Sequence, residues 1–285
     1  MTPGGVAVVG SANLDIVIAS PRRPAGGETV MGSSVVETPG GKGANQALAA
    51  ARIGPTAFIG QVGSDAAGDL MVAAMSAAGV DVGHVLAAGG SSGRAYITLT
   101  PDGENSIIVL PLANSELAAV RVTAALDDTQ PAVVLCQLEI PPDVVEAAAD
   151  WCVRRAARFV LNPSPVATVA ERVLAAADPL IVNRGEAQSI LGTDSEDDED
   201  LALRLAERAR SVVVTAGPDG AVVAGGANVA RIPGARVRVV DTTGAGDTFA
   251  GALAGHLAAA RPLTEAARLA NAEAARIIQL PRAAR

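Results

Sequence analysis

Chemistry is concentrated in a few polar clusters, and the densest is Asp241-Thr242-Thr243-Gly244-Ala245-Gly246-Asp247. Apolar residues Phe249, Leu253 and Leu257 follow at four-residue spacing, with Ala250 and Ala254 on the same face, which predicts a helix. A helix entered through glycines leaves its first backbone N–H groups without partners, and these attract an anion. A carboxylate at that mouth is out of place for holding an anion. Asp247 would repel a resting phosphate, yet it is suited to take a proton from a hydroxyl that attacks one. Read alone, the same residue also serves as an ordinary stabiliser of a helix start.

A second cluster is Gly40-Gly41-Lys42-Gly43-Ala44-Asn45, where Lys42 is the single lysine among the 22 Lys and Arg residues. Asp15, Glu139, and Asn183 with Glu186 complete the set. Asp194–Asp200 is an acidic run, in which Ser195 with Asp198 reads as a capping box for a helix over 198–210 rather than a metal site.

The elements that must position these residues read as alternating β and α. Val6-Ala7-Val8-Val9 is a short apolar run suited to a buried parallel strand. Further strands are predicted at 56–60, 132–137, 158–161, 180–182, 211–215, 221–224 and 229–231. Val237, Val239 and Val240 predict one more, leading into the 241–247 cluster. Helices are predicted over 42–53, 68–78, 116–126, 143–155, 169–176, 186–191, 198–210 and 265–278. This alternation argues for a three-layer α/β/α fold with a mostly parallel sheet. Segments 15–19, 28–38, 94–100 and 105–110 break the pattern. Pro101-Asp102-Gly103-Glu104 is a hairpin signal between the last two. They predict a small antiparallel sheet, built from insertions 15–40 and 93–111, that lies as a lid over a single domain spanning 1–285. The polar clusters then fall at carboxyl ends of strands, where open α/β sheets place their ligands.

Composition narrows the classes. With 49% hydrophobic and only 2% aromatic residues, the core must be built from Ala, Val, Leu and Ile. A net charge of −8 argues against nucleic acid. No apolar run reaches membrane-spanning length and no signal peptide precedes Val6. Cys136 and Cys152 lack metal-ligand spacing and read as buried thiols of a cytoplasmic protein. His84 and His256 are isolated, so zinc and Ser-His-Asp chemistry find no support. Neither the GxxxxGK[ST] loop nor a dinucleotide GxGxxG after the first strand occurs.

Ser11-Ala12-Asn13-Leu14-Asp15, Gly40 to Ala47, Asn162-Pro163-Ser164-Pro165, Asn183-Arg184-Gly185-Glu186 and Asp241 to Phe249 together resemble the ribokinase/PfkB-type carbohydrate kinases. The motifs keep the family's order and spacing from residue 6 to about 275. The pairing of Asn13 and Asp15 with the glycine-lysine stretch is more similar to the ribokinase branch than to fructokinases, ketodeoxygluconate kinases or adenosine kinases.

The resemblance implies transfer of the γ-phosphoryl group of ATP to a sugar hydroxyl, O5 of ribose in that branch. It implies that Asn13, Asp15, Gly41, Lys42, Gly43, Asn45 and Glu139 hold the sugar and that Asp247 is the general base. Gly244 and the amides of Ala245, Gly246 and Asp247 would form the anion hole. Asn183 would organise the phosphates, with Glu186 holding Mg²⁺ through water, and Thr215, Gly217 and Gly220 would line the nucleotide site. It also implies a homodimer through the lid and a K⁺ site at Asp241 and Thr243. Family members continue past the last helix into a glycine-containing loop that helps build the adenine pocket and the K⁺ site. The sequence ends with Gln279 to Arg285, so K⁺ activation and tight ATP binding are expected to be weakened. Two rivals are a kinase of the same family for a nucleoside, deoxyribose or fructose-type sugar, and a silent sugar-binding homologue.

Overall fold

A computed structural model describes residues 4–102, 105–226 and 228–281. Gly103 and Glu104 of the expected hairpin turn, and residues 282–285 of the C-terminus, lie outside the described residues. In chain order the first elements are β1 (Val6–Val9), β2 (Asn13–Ala19), β3 (Ser34–Gly40), α1 (Lys42–Ala51), β4 (Thr56–Gly63), α2 (Ala66–Ala77), β5 (Asp81–Ala88), β6 (Gly93–Leu99) and β7 (Asn105–Leu110). Then come α3 (Ala119–Thr129), β8 (Val133–Cys136), α4 (Pro142–Arg155), β9 (Arg158–Leu161), α5 (Glu171–Ala176), β10 (Ala177–Asn183), α6 (Arg184–Leu191) and α7 (Asp198–Ala206). The chain finishes with β11 (Val212–Thr215), β12 (Gly220–Gly225), β13 (Asn228–Pro233), α8 (Ala245–Ala258) and α9 (Leu263–Ile277).

The main sheet has nine strands in the order β13-β12-β11-β10-β9-β8-β1-β4-β5. It is parallel from β5 to β11, and β12 and β13 close one edge antiparallel. Alternation along β1 shows why the apolar runs must be strands. Ala7 and Val9 pack into one core with Val122, Trp151, Leu174 and Leu201, whereas Val6 and Val8 pack into the other with Ala47, Met71, Phe249 and Leu253. Helices α3 to α7 thus cover one face and α1, α2, α8 and α9 the other. Cys136 and Cys152 are buried and unpaired, and burial pushes the Cys152 thiol up to about 12.

The second sheet runs β3-β2-β6-β7. Its outer pairs are antiparallel, as expected, but β2 and β6 pair in parallel, so the sheet is mixed. Its two hairpin-like pairs come from separate insertions leaving the main sheet in the same direction, and that places the central strands side by side in parallel. Leu14 and Ile16 pack on Ala67 of α2, while the opposite face carries Asp15, Ala95, Ile97, Ile107 and Val109 toward a cavity.

Four further points of the expected layout are corrected. Residues 237–240 form no strand. Their chain leaves the sheet edge and crosses toward the sheet centre, and the amides of Val240 and Asp241 bond to the Ile278 carbonyl at the end of α9. The strand β5, unread in the sequence, pairs with β4. The cap of α7 is Asp197, which accepts from the Glu199 amide at 2.9 Å, because Asp198 is held by a two-point ion pair with Arg184 at 2.8 Å. The helix expected from Glu116 starts at Ala119, after a short 3₁₀ turn over Leu112–Glu116.

Candidate active site

Helix α8 is entered through Gly244, the residue just before it, which adopts φ 75°, a left-handed conformation that a side chain disfavours. No side chain caps this terminus. The Ala245 amide closes the turn onto the Thr242 carbonyl at 3.1 Å, whereas those of Gly246 and Asp247 have no hydrogen-bond partner among the described residues. The expected set of three anion-binding amides is therefore two free donors and one engaged in the turn. Two donors at the positive end of a fourteen-residue helix still make a strong anion site.

The Asp247 carboxylate is fixed on both oxygens. Oδ1 accepts from Gln46 Nε2 at 3.0 Å and Oδ2 from Asn45 Nδ2 at 3.3 Å. Withdrawal from water pushes its carboxyl up from 3.8 to about 6. The nearby Lys42 ammonium and the two amide donors oppose that rise, and Glu139 adds slightly to it. At neutral pH the group is ionised yet basic enough to accept a proton.

Glu139, just past β8, is the second organising carboxylate. Its Oε2 accepts from Ser11 Oγ at 2.6 Å, the Lys42 amide at 3.1 Å and Asn13 Nδ2 at 3.4 Å. It therefore ties the end of β1 to the start of α1. Asn13 is in turn held by Asn114 Nδ2 at 2.8 Å, from the 3₁₀ turn.

Two cavities, each of about 810 Å³, flank the α8 N-terminus. Asn13, Asp15, Gly41, Lys42, Asn45, Glu139 and Asp247 line the first, a polar floor beneath the apolar lid face. Thr215, Gly217, Gly220, Val237, Val239, Phe249, Asn271 and Ile278 line the second. Thr243, Gly244 and Asp247 face the first, while Thr242, Ala245 and Gly246 face the second. The two spaces thus meet across one turn of backbone.

Other expected residues lie outside the cavities or have their polar groups engaged. Gly43 is buried, its amide 3.3 Å from Ser11 Oγ, and does not line either cavity. Asn45 lines the first cavity but spends its amide on Asp247. Asn183 and Glu186 cap α6 reciprocally at 2.8 and 2.9 Å, at the end of β10 beside Thr215 of β11, and line neither cavity. Asp241 Oδ1 accepts from the Thr243 amide at 2.8 Å. Among the described residues no three His, Cys, Asp or Glu side chains cluster as a metal site, so a divalent cation here would depend on phosphate and water oxygens.

Sequence reading assigned no role to Gln46, Gln137, Asn162, Ser11 or Asn114. Gln46 sits one turn after Lys42, and that spacing on a helix starting at Lys42 was the available signal. Asn271 and Phe249, on the helices that wall the second cavity, were likewise unassigned.

Comparison with known proteins agrees with this geometry. The chain is 38% identical to the ribokinase of Bacillus subtilis (strain 168) over 269 residues, which cover 93% of this chain and 90% of that protein. It is 35% identical to the ribokinase of Haemophilus influenzae over 276 residues, covering 94% and 90%. The structure of Arabidopsis thaliana ribokinase complexed with ribose and ATP superposes with a TM-score of 0.88 at 30% identity, over 98% of this chain and 94% of that one. The family model for pfkB family carbohydrate kinases matches residues 4–285. With a helix terminus that joins two cavities and relatives of this similarity along its length, the chain belongs to the PfkB family of carbohydrate kinases.

Proposed function

We propose that the enzyme is a ribokinase, transferring the γ-phosphoryl group of ATP to O5 of D-ribose. The observation that carries this reading is the meeting of the two cavities at the α8 N-terminus, with Asp247 on the first side and the Gly246 amide on the second. Ribose sits in the first cavity, its hydroxyls paired with Asp15, Asn13, Lys42 and Glu139. Directional donors and acceptors of both kinds are what a polyol requires. The triphosphate reaches the helix terminus from the second cavity, where Val237, Val239, Phe249 and Ile278 offer apolar surface to the base.

Asp247 takes the proton of the ribose O5 hydroxyl as that oxygen bonds to the γ-phosphorus. The bond to the bridging oxygen breaks, and ADP departs with its electron pair. The free amides of Gly246 and Asp247 stabilise charge on the transferring group, and positioning supplies most of the rest. Mg²⁺, when bound, would neutralise phosphate charge, with Glu186 and Asn183 orienting its waters. The apolar faces of β6 and β7 exclude water when the lid covers the sugar.

We read residues 1–285 as one kinase domain with 15–40 and 93–111 as its lid. A second copy of the chain is the proposed cover for the exposed lid residues Val35, Val36 and Ile108, which are 61, 55 and 66% exposed. Asp241 and Thr243 remain the proposed monovalent-cation position.

The deciding assay measures ADP formation from Mg-ATP with ribose, deoxyribose, fructose, fructose 6-phosphate and adenosine, with and without K⁺. Turnover with ribose far above the others is expected. Preference for another acceptor overturns the ribose assignment, and sugar binding without turnover on any acceptor makes the protein a silent binder.

A further inference from the structure

Behind Asp247 lies a row of buried amides that the reaction as described does not use. Gln46 and Gln137 are fully buried, and Asn162 is 9% exposed. They come from α1, from the residue after β8 and from the residue after β9, so the row crosses the middle of the sheet and ends beside α8.

Each bond restricts the next. Asn162 Nδ2 donates to the Ile181 carbonyl of β10 at 3.1 Å, which turns its Oδ1 toward Gln46. Gln137 Nε2 donates to Gln46 Oε1 at 2.7 Å. Gln46 then has its acceptor engaged and both Nε2 hydrogens directed outward, one to Asn162 Oδ1 at 3.1 Å and one to Asp247 Oδ1 at 3.0 Å. Rotating the Gln46 amide by half a turn would set Oε1 against a carboxylate and a second carbonyl, and its NH₂ against another NH₂. Two neighbours thus lock its polarity, and only the donor end can face Asp247.

The fold bears a visible cost for this. Gln137 Oε1 is buried with no hydrogen-bond partner among the described residues, pressed against Gly10, where a Cβ would lie 2.1 Å away. Turning Gln137 over would not relieve it, because its oxygen would then confront Gln46 Oε1. The orphaned acceptor, two residues back from Asp247, is what the fold gives up to keep the direction of the row fixed.

We propose that Gln46 is the positioning residue for Asp247, with Gln137 and Asn162 fixing which end of its amide meets the carboxylate. Gln46 does not touch substrate. It holds Oδ1 from behind and favours the ionised, proton-accepting form. The inference rests on the reading of Asp247 as general base. The other groups around Asp247 are Lys42 and Asn45 from α1 and Glu139 after β8, and a substitution at Gln46 removes none of them.

The test compares Gln46→Met and Gln137→Met with the unaltered enzyme, and Asp247→Asn is measured in parallel. Folding is checked by thermal melting, kcat and sugar KM are followed from pH 5 to 9, and sugar Kd is measured by calorimetry. For Gln46→Met the acidic limb of kcat is expected to move up by roughly one pH unit, since a charge-assisted donor is lost. Sugar Kd should stay within about threefold, because a hydrogen bond outside the pocket is worth little to binding there. Gln137→Met, which keeps Gln46 but frees its amide to rotate, should move the limb the same way by less.

A folded Gln46→Met enzyme with an unmoved limb overturns the proposal. If Gln46→Met does not fold, Gln137→Met decides by the same criterion. Should Asp247→Asn keep its turnover, the general-base reading itself falls. An inactive Asp247→Asn alongside an unmoved limb removes only the positioning role.

Discussion

Gly251 of α8 lies so close to α1 that a Cβ on it would stand 2.1 Å from the Gln46 carbonyl oxygen. This contact sets how near the two helices approach, and it brings Asp247 within reach of Asn45 and Gln46. Gly251→Val should force the helices apart, costing about 1–3 kcal/mol of stability. It should also lower kcat more than it raises sugar KM, since Asp247 is shifted relative to Asn45 and Gln46 while Asn13, Asp15 and Glu139 of the sugar cavity lie outside both helices. Denaturant unfolding with steady-state kinetics checks both; a variant of unchanged kcat would show that this spacing is not what places the base.

Asp247→Asn removes the proposed proton acceptor and little volume. kcat should fall on the order of 10²–10⁴-fold, the range usual for a lost general base. Sugar affinity, read by calorimetry, should change by less than a few-fold.

The Asp247 carboxyl is raised in the folded protein from 3.8 to about 6. Below that value the base is protonated, so kcat should decline as pH falls through about 6 and be level above it. The sign for stability is opposite to that of an ordinary ion-paired carboxylate. As pH rises from about 4 to about 6 the unfolded chain ionises this group more readily than the native one, so its contribution becomes unfavourable and is complete above about 6. A kcat profile with its acidic limb near pH 4 would contradict this environment.

Lys42 lowers the Asp247 pKa through its charge. Lys42→Met should therefore move the acidic limb upward by roughly one unit as well as weaken sugar binding. The pH profile separates these effects, because a residue that only binds sugar would raise KM and leave the limb alone.

Glu139 gathers Ser11, Asn13 and the Lys42 amide on one oxygen. Glu139→Ala should raise sugar KM by on the order of tenfold or more, as three donors beside the pocket lose their common acceptor. ATP KM should be nearly unchanged, because the second cavity does not include Glu139.

Much was legible in the chain itself. Runs such as Val6–Val9 and Val133–Cys136 are apolar at every position, and a strand buried on both faces is the compact way to hide them. The glycine cluster before Asp247 is a local device, written within a few residues, and the structure contains it; the reciprocal cap of Asn183 and Glu186 is just as local, yet its residue types pointed to phosphate and Mg²⁺ instead. The valines at 237–240 have strand character, but propensity does not say whether a sheet edge is within reach, and here the chain must cross to α8. β5 begins with Asp81 and includes Gly83 and His84, so its pattern is weak, and its place beside β4 is a tertiary fact. Likewise hairpin signals point to an antiparallel lid, whereas the parallel seam of β2 on β6 pairs residues eighty positions apart, as Asn13 with Gly93.

The sequence by itself determined the alternating architecture, the family and the carboxylate proposed as the base, because each is encoded in short-range pattern. Only the tertiary structure decided what surrounds that carboxylate. Gln46 meets Asp247 across 201 residues, Gln46 meets Asn162 across 116, and Glu139 meets Ser11 across 128. Hydrogen bonds between such distant positions leave no local periodicity, and they form only when the packing of two cores brings α1, α8 and the strand ends together.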